Sequence, residues 1–433
     1  NQLVPFSLDA VGYDDIIVQE VRLASSHGGP FEWILGGFYF DKRREVDFDY
    51  RTTPEFLDLT GVTAFPDLYY QRFKNFTDIT EKAVFGELTY RFSDNFWATG
   101  GLRYGQVQVQ TTTRQGGFTS NFLTRGYCTV FTAQCFGFVP ALTITPVQAA
   151  TGLLASDDKL SWKASLSFKP SDNLTTYATI STGFRPPVVN ARAGLAPPAS
   201  APNDITIPDG ASSDKLTNYE IGLKGSFFDR RLTANIAAFY IDWNNIQVQA
   251  NRVSDTIQFA TNIGGAVSKG IEVELAAYPV KGLRLAASGA YIDAKIDDLT
   301  AEEAAISGAV DGVRLAAPKF SGSASATYSF PVGDTEEAFV TGNLSYVGSY
   351  PGLLPNIPGQ PGVPSPQYDV TDAYTFANFY AGIRFSSDFS VTAYIENVFD
   401  NDAITYVHPE AFLDGRYARL QPRTFGVRTS FAF

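Results

Sequence analysis

Arg423–Phe433 reads Arg-Thr-Phe-Gly-Val-Arg-Thr-Ser-Phe-Ala-Phe. Phe425, Val427, Thr429, Phe431 and Phe433 fall on one parity, and Thr424, Gly426, Arg428, Ser430 and Ala432 on the other. A β-strand alternates its side chains between two faces, so this segment has one apolar face and one small or polar face. In a soluble protein a second layer covers such an apolar face. A chain that ends on this strand and holds many more like it is expected to form a sheet whose apolar face meets lipid.

Working back from that strand, about fifteen alternating segments appear, each near the ~10 residues of a barrel strand. Their expected spans are 15–25, 31–48, 81–92, 96–112, 158–169, 173–184, 216–228, 231–249, 259–278, 283–297, 319–329, 337–349, 377–386, 389–399 and 423–433. Tyr219, Ile221, Leu223 and Phe227 alternate with Glu220, Gly222, Lys224 and Ser226. Ile271, Val273 and Leu275 alternate with Glu272 and Glu274, and Val391, Ala393 and Ile395 with Thr392, Tyr394 and Glu396. Charges opposite aliphatics suit a wet lumen.

The connections carry the stronger signal. They run short, long, short, long. Short ones such as Ser93–Asn95, Pro170–Asp172 and Asp229–Arg230 hold the Gly, Pro, Asp, Asn and Ser of tight turns. The long ones are near 49–80, 113–157, 185–215, 250–258, 298–318, 350–376 and 400–422. In an up-and-down meander successive connections fall at opposite ends, so every short turn lies at one rim. Outer-membrane barrels have this asymmetry, with short periplasmic turns and long extracellular loops. The expected fold is all-β: a transmembrane, antiparallel, up-and-down β-barrel.

Composition bounds the alternatives. No run approaches the ~18 apolar residues of a membrane helix, which excludes helical spans and leaves a barrel open. Charged residues are 18% of the chain, below the ~25% of soluble domains, as a half-apolar barrel requires. A net charge of -12 argues against a nucleic-acid partner. The chain contains no Met and no recognisable leader, so a processed chain or a fragment is expected. Cys128 and Cys135 are the two cysteines and fit one disulfide in an oxidising compartment, with two unpaired thiols as the alternative.

Several ordered segments resemble the TonB-dependent outer-membrane receptors. They are Ser181-Thr-Gly-Phe-Arg-Pro-Pro187, Asn218-Tyr-Glu-Ile-Gly-Leu-Lys224, Ala238-Phe-Tyr-Ile-Asp-Trp243, Ser268-Lys-Gly-Ile-Glu-Val-Glu274 and Glu396-Asn-Val-Phe-Asp400. The terminal aromatic Phe433 resembles the signal read by barrel-assembly machinery. The resemblance covers essentially the whole chain, residues 1–433, and implies about fifteen strands of a 22-stranded barrel. It departs at the front. The stretch resembling Gln19–Ser25 normally lies well inside the barrel, so the plug domain, the segment docking the TonB energy-coupling complex and the first strands are expected to be missing. The resemblance implies active uptake of a scarce, bulky solute, with a ferric siderophore as first expectation, and outer-membrane lipid as the surroundings.

No catalytic constellation or cofactor motif stands out, and no His, Cys and carboxylate spacing argues for a metal. A passive porin-like channel is the runner-up. An outer-membrane enzyme using His27 or His408, and a soluble β-sandwich, are weaker readings. Candidate ligand-facing residues are Phe118, Phe122, Tyr127 and Phe131 around the cysteine pair, with a loop-stabilising cluster as the alternative. Arg185, Asn190 and Arg192, and Arg416, Tyr417 and Arg419, are candidates for an anionic chelate, with neutralisation of lumen carboxylates as the alternative. The run Asp297, Asp298, Glu302, Glu303 is read as a solvated loop, with a divalent-cation site as the alternative.

Overall fold

The computed structural model describes residues 6–25, 29–53, 69–116, 142–144, 156–190, 193–197, 201–252, 254, 257–352, 354–366, 368–385, 389–407 and 417–431. The chain opens with β1 (Phe6–Ala24), β2 (Phe31–Thr52), β3 (Tyr69–Ser93) and β4 (Phe96–Gly116), then a short β5 (Leu142–Ile144). β6 (Ser156–Ser171) and β7 (Leu174–Arg185) follow, then two-residue β8 (Val188–Val189) and β9 (Gly210–Ala211). β10 (Asp214–Phe227), β11 (Leu232–Asn251), β12 (Gln258–Ala277) and β13 (Leu283–Asp297) lead to one short helix, α1 (Ala301–Ser307). β14 (Phe320–Val332), β15 (Glu336–Val347), β16 (Tyr374–Arg384), β17 (Phe389–Glu396), β18 (Ile404–Val407), β19 (Tyr417–Arg419) and β20 (Thr424–Phe431) complete it.

One antiparallel sheet takes the long strands in the order β1-β2-β3-β4-β6-β7-β10-β11-β12-β13-β14-β15-β16-β17-β20, with β5 paired to β4. Each long strand pairs with its neighbours in the chain, as an up-and-down meander requires. Among the described residues β1 and β20 do not pair with each other, so the sheet is an open arc.

Register makes the apolar face continuous. One cross-strand row runs Phe31, Tyr90, Ala98, Leu166, Ala178, Ile221, Ala238, Ile271, Tyr291, Phe320. The row starts at a short turn and ends at a long loop. That climb is the stagger a tilted barrel sheet needs. The adjacent row on the other face, Glu32, Thr89, Thr99, Ser165, Thr179, Glu220, is polar throughout. Ile221, Val427 and Phe425 are exposed, at 63%, 69% and 79%, with no protein layer over them.

Aromatic rings mark both edges of the apolar face. At the turn end, Phe92 stacks on Phe96, Tyr328 on Phe330 and Phe385 on Phe389. At the loop end lie the pairs Tyr219–Tyr240 and Tyr291–Phe320. On β14 the two bands, at Phe320 and Phe330, are about 34 Å apart along the strand at ~3.4 Å per residue. A strand tilt of ~40° reduces that to ~26 Å, the height of an outer-membrane apolar belt.

The long strands overrun their expected ends above this belt. The region expected as a loop over 49–80 is strand to Thr52 and again from Tyr69. Here the sheet stands in water, and cross-strand ion pairs replace apolar alternation. Lys74 meets Glu45 and Asp47, and Arg43 meets Asp78. Period-2 hydrophobicity does not report such a stretch, so its strands escape the sequence reading. The run at 297–303 is likewise partly helical. Thr300 caps α1, and Glu303 completes a capping box. The sequence reading, which took the acidic run for a loop, passed over the spacing Thr300-Ala-Glu-Glu303.

Buried side chains concentrate above the belt, among the loops. Ile246, Ile263, Ala266, Ile296 and Ala309 form one apolar core. Ile207, Ala250, Ile257 and Phe259 form a second.

Candidate functional site

The polar face of the arc and the loops above it are the surfaces available to a solute. Five glycines on the polar face each lie beneath an aromatic ring from a neighbouring strand: Gly36 under Phe85, Gly222 under Tyr177, Gly270 under Phe239, Gly382 under Phe339, and Gly426 under Tyr394. A Cβ on Gly222 would sit 2.6 Å from the Tyr177 ring. The missing side chain therefore lets the ring lie flat on the wall.

A cation covers four of these rings. Arg22 lies 5.9 Å from the centroid of Phe85, Lys224 5.7 Å from Tyr177, Arg384 4.7 Å from Phe339 and Arg428 5.5 Å from Tyr394. Carboxylates pair with cations along the same wall: Glu87 with Lys163 at 2.5 Å, Glu81 with Arg103 at 2.5 Å and Glu337 with Arg384 at 2.5 Å. Tyr177 donates to Glu220 at 2.7 Å and Tyr380 to Glu396 at 3.0 Å. The wall is thus smooth and charged in both signs, with several of its carboxylates held by cations or by tyrosine hydroxyls. It suits contact with a polar body filling the lumen.

At the loop end of β7, Arg185 donates from its backbone N–H to Asp214 Oδ1 at 2.9 Å and from Nε to Oδ2 at 2.6 Å. Its Nη2 donates to the Gln247 carbonyl at 3.0 Å, and its guanidinium lies 4.5 Å from the centroid of Trp243. Asn190 is buried; its Nδ2 donates to the carbonyls of Pro208 and Ala260, and its Oδ1 accepts from Ala260 N–H. Both residues hold the loop 186–213 against β11 and β12. Sequence reading nominated Arg185 and Asn190 and passed over Asp214, Trp243 and Gln247. Those partners become visible only once the register is known.

The loops are joined to one another. Gly359 N–H donates to Ala305 of α1 at 2.6 Å, and Asn356 N–H to Gly308 at 3.0 Å. Asp372 N–H donates to Ile404 at 3.0 Å, and Tyr417 donates its phenol to Asp369 at 2.8 Å. Arg419 Nη1 donates to the Asp402 carbonyl at 2.9 Å and lies 3.5 Å from its carboxylate. Tyr417 and Arg419 stand on the exposed strand β19, which pairs with the half-buried β18. Phe118, Phe122, Tyr127, Cys128, Phe131, Cys135, Arg192, Arg416 and Phe433, with His27 and His408, lie outside the described residues. No group of three metal-ligating side chains occurs among the described residues.

Residues 6–398 match the family described as TonB dependent receptor-like, beta-barrel. The ferric yersiniabactin uptake receptor FyuA from Yersinia pestis superposes with a TM-score of 0.66 at 17% identity, over 99% of this chain and 55% of that one. The siderophore receptor PiuA from Acinetobacter baumannii superposes with a TM-score of 0.63 at 15% identity, over 97% of this chain and 56% of that one. At these identities the likeness is one of fold. A ferric-pyoverdine 358 receptor from Pseudomonas putida is 37% identical over 68 residues, 15% of this chain and 8% of its own length. The chain spans a little over half the length of these two solved receptors.

Proposed function

This chain belongs to the TonB-dependent receptor-like β-barrel family of Gram-negative outer-membrane proteins, and from that premise we propose that it serves active uptake of a scarce, bulky solute, a ferric siderophore. The observation that carries the reading is the joined loop assembly over a smooth, charge-paired wall. Four loops braced at the mouth favour capture of a large ligand. A wall with flattened rings and paired charges favours close contact with a plug that moves under pull from the TonB complex. The barrel performs no covalent chemistry in this scheme.

Within the mouth, Tyr417, Arg419, Arg416 and Arg192 are the proposed contacts for an anionic chelate, through charge-assisted hydrogen bonds. Phe118, Phe122, Tyr127 and Phe131 add apolar contact, on a loop pinned by a Cys128–Cys135 disulfide. Arg185 and Asn190 act from behind, by fixing the loop that follows β7. Phe433 is the proposed assembly signal.

The test is uptake of radioiron chelates by cells carrying or lacking the intact receptor. Receptor-dependent uptake that collapses on adding an uncoupler is expected. Uptake that persists without a proton gradient and follows solute size alone would replace this reading with a passive channel.

A further inference from the structure

The lipid-facing side of the barrel carries a feature that uptake does not use. Just above the Tyr291–Phe320 ring pair, Lys269 lies opposite Asp293 in the register of β12 and β13. Lys295 Nζ is 3.2 Å from Asp293, and Lys319 Nζ is 3.8 Å from it. The Asp293 side chain is only 14% exposed, whereas those of Lys295 and Lys319 are 44% and 42% exposed, and Lys269 is exposed too. The ammonium groups therefore form the outer surface of the cluster. Farther along the same rim, Lys215 and Asp242 add one charge of each sign. The patch sets Lys215, Lys269, Lys295 and Lys319 against Asp242, Asp293 and Asp297, the last on the same face of β13, on a chain whose overall charge is -12.

Directly below, the apolar face is furrowed. Ala277, Ala287, Ala324, Ala326, Gly342 and Ala377 floor an open groove of about 870 Å³. Leu275, Leu285, Leu344, Phe379 and Ile395 wall it. Gly289 and Gly322, opposite each other in the register, carry the small-residue row up to the ring pair. From Lys319 to Ala324 is ~17 Å along the strand at ~3.4 Å per residue. The groove lies at hydrocarbon depth and the cluster at headgroup depth.

We infer that this face is a binding site for one lipid of the outer leaflet with phosphate on its headgroup. The phosphate sits among Lys269, Lys295 and Lys319, and an acyl chain lies in the furrow below. Charge complementarity selects the headgroup, since cation clusters at the membrane surface recruit anionic lipid. The furrow supplies what a general attraction to anionic surface lacks, a fixed place for the chain.

The intact receptor, purified in detergent, is incubated with bis-phosphorylated lipid A and analysed by native mass spectrometry. One tightly held lipid is expected, with at least tenfold less retained when the phosphates are removed. The triple variant Lys269→Gln, Lys295→Gln, Lys319→Gln is expected to lose retention to the same degree. Ala324→Phe fills the furrow at unchanged charge and is expected to lower it several-fold. A second measurement needs no variant: lipid A with a photoreactive acyl chain should label β13 and β14 of the wild-type protein in preference to β6 and β7. Undiminished retention by the triple variant, or labelling spread evenly around the barrel, overturns the inference.

Discussion

The carboxylate of Asp214 is fully buried against the guanidinium of Arg185, 2.6 Å from its Nε, across 29 residues of chain. Asp214 begins β10 and Arg185 ends β7, so the pair closes the base of the loop 186–213. Trp243 stacks on the same guanidinium and Gln247 accepts from it. Breaking a buried pair by removing one partner leaves a desolvated charge and costs about 3–5 kcal/mol. Arg185→Ala, which leaves the fully buried Asp214 carboxylate without its guanidinium, is therefore expected to destabilise the loop base by about that amount. Limited proteolysis should show rapid cleavage within 186–213 while the barrel strands remain intact. The double variant Asp214→Ala, Arg185→Ala should lose less than the sum of the singles, because the two act on one interaction. Strict additivity would show that the pair does not work as a latch.

The sheet was legible in the sequence because a lipid-facing strand must alternate. Tyr219 to Phe227 and Ile271 to Leu275 announce both strand and outward face. Legibility failed where alternation has no physical cause. From Tyr69 to Thr80 the strand stands above the belt, and charge pairs such as Lys74 with Glu45 hold it. The site was less legible than the fold. Arg185 was recognisable as a basic residue after Gly183-Phe184, but its partner Asp214 is fixed by register alone. The same holds for Gly222 and Tyr177, which lie 45 residues apart and meet only because β7 and β10 pair.

That Gly222–Tyr177 contact yields a second prediction. A methyl group at position 222 would drive the ring off the wall and disturb its hydrogen bond to Glu220. Overpacking of this kind costs about 1–3 kcal/mol. Gly222→Ala should lower the unfolding midpoint in detergent, and adding Tyr177→Ala should recover part of the loss. A Gly222→Ala variant as stable as wild type would mean that the ring does not lie flat on the wall.

In the turn between β6 and β7, Lys169 Nζ donates to Asp172 at 2.9 Å. That hydrogen bond, and then the nearby charge, hold the Asp172 carboxyl below its ordinary value. A depressed carboxylate contributes stability above its unfolded pKa of roughly 3.9, and that contribution is lost as pH falls through the lower folded value. The pair is exposed, so its effect is local. Carboxyl titration by NMR should place the Asp172 midpoint below that of a free aspartate, and Lys169→Gln should return it upward. Any stability difference between wild type and Asp172→Asn should be present at neutral pH and vanish in acid. A midpoint unmoved by Lys169→Gln would show the contact to be absent in solution.

The outward assignment of the apolar parity has the most direct test. Leu223 lies on the face of Ile221, midway between Tyr219 at the loop edge and Phe227 at the turn edge of the belt. Thr179 lies on the opposite face, paired with Glu220 in the register of β7 and β10. An arginine on the lipid face at mid-depth costs about 2–4 kcal/mol, because no water or counter-charge reaches it there. One on the lumen face meets water and the Glu220 carboxylate. Leu223→Arg should therefore lower the yield of heat-modifiable, folded barrel in bilayers and reduce its unfolding free energy by about 2–4 kcal/mol. Thr179→Arg should leave both nearly unchanged. The reverse ranking would place the polar row against lipid and invert the barrel, taking the lumen wall, the mouth and the lipid furrow with it.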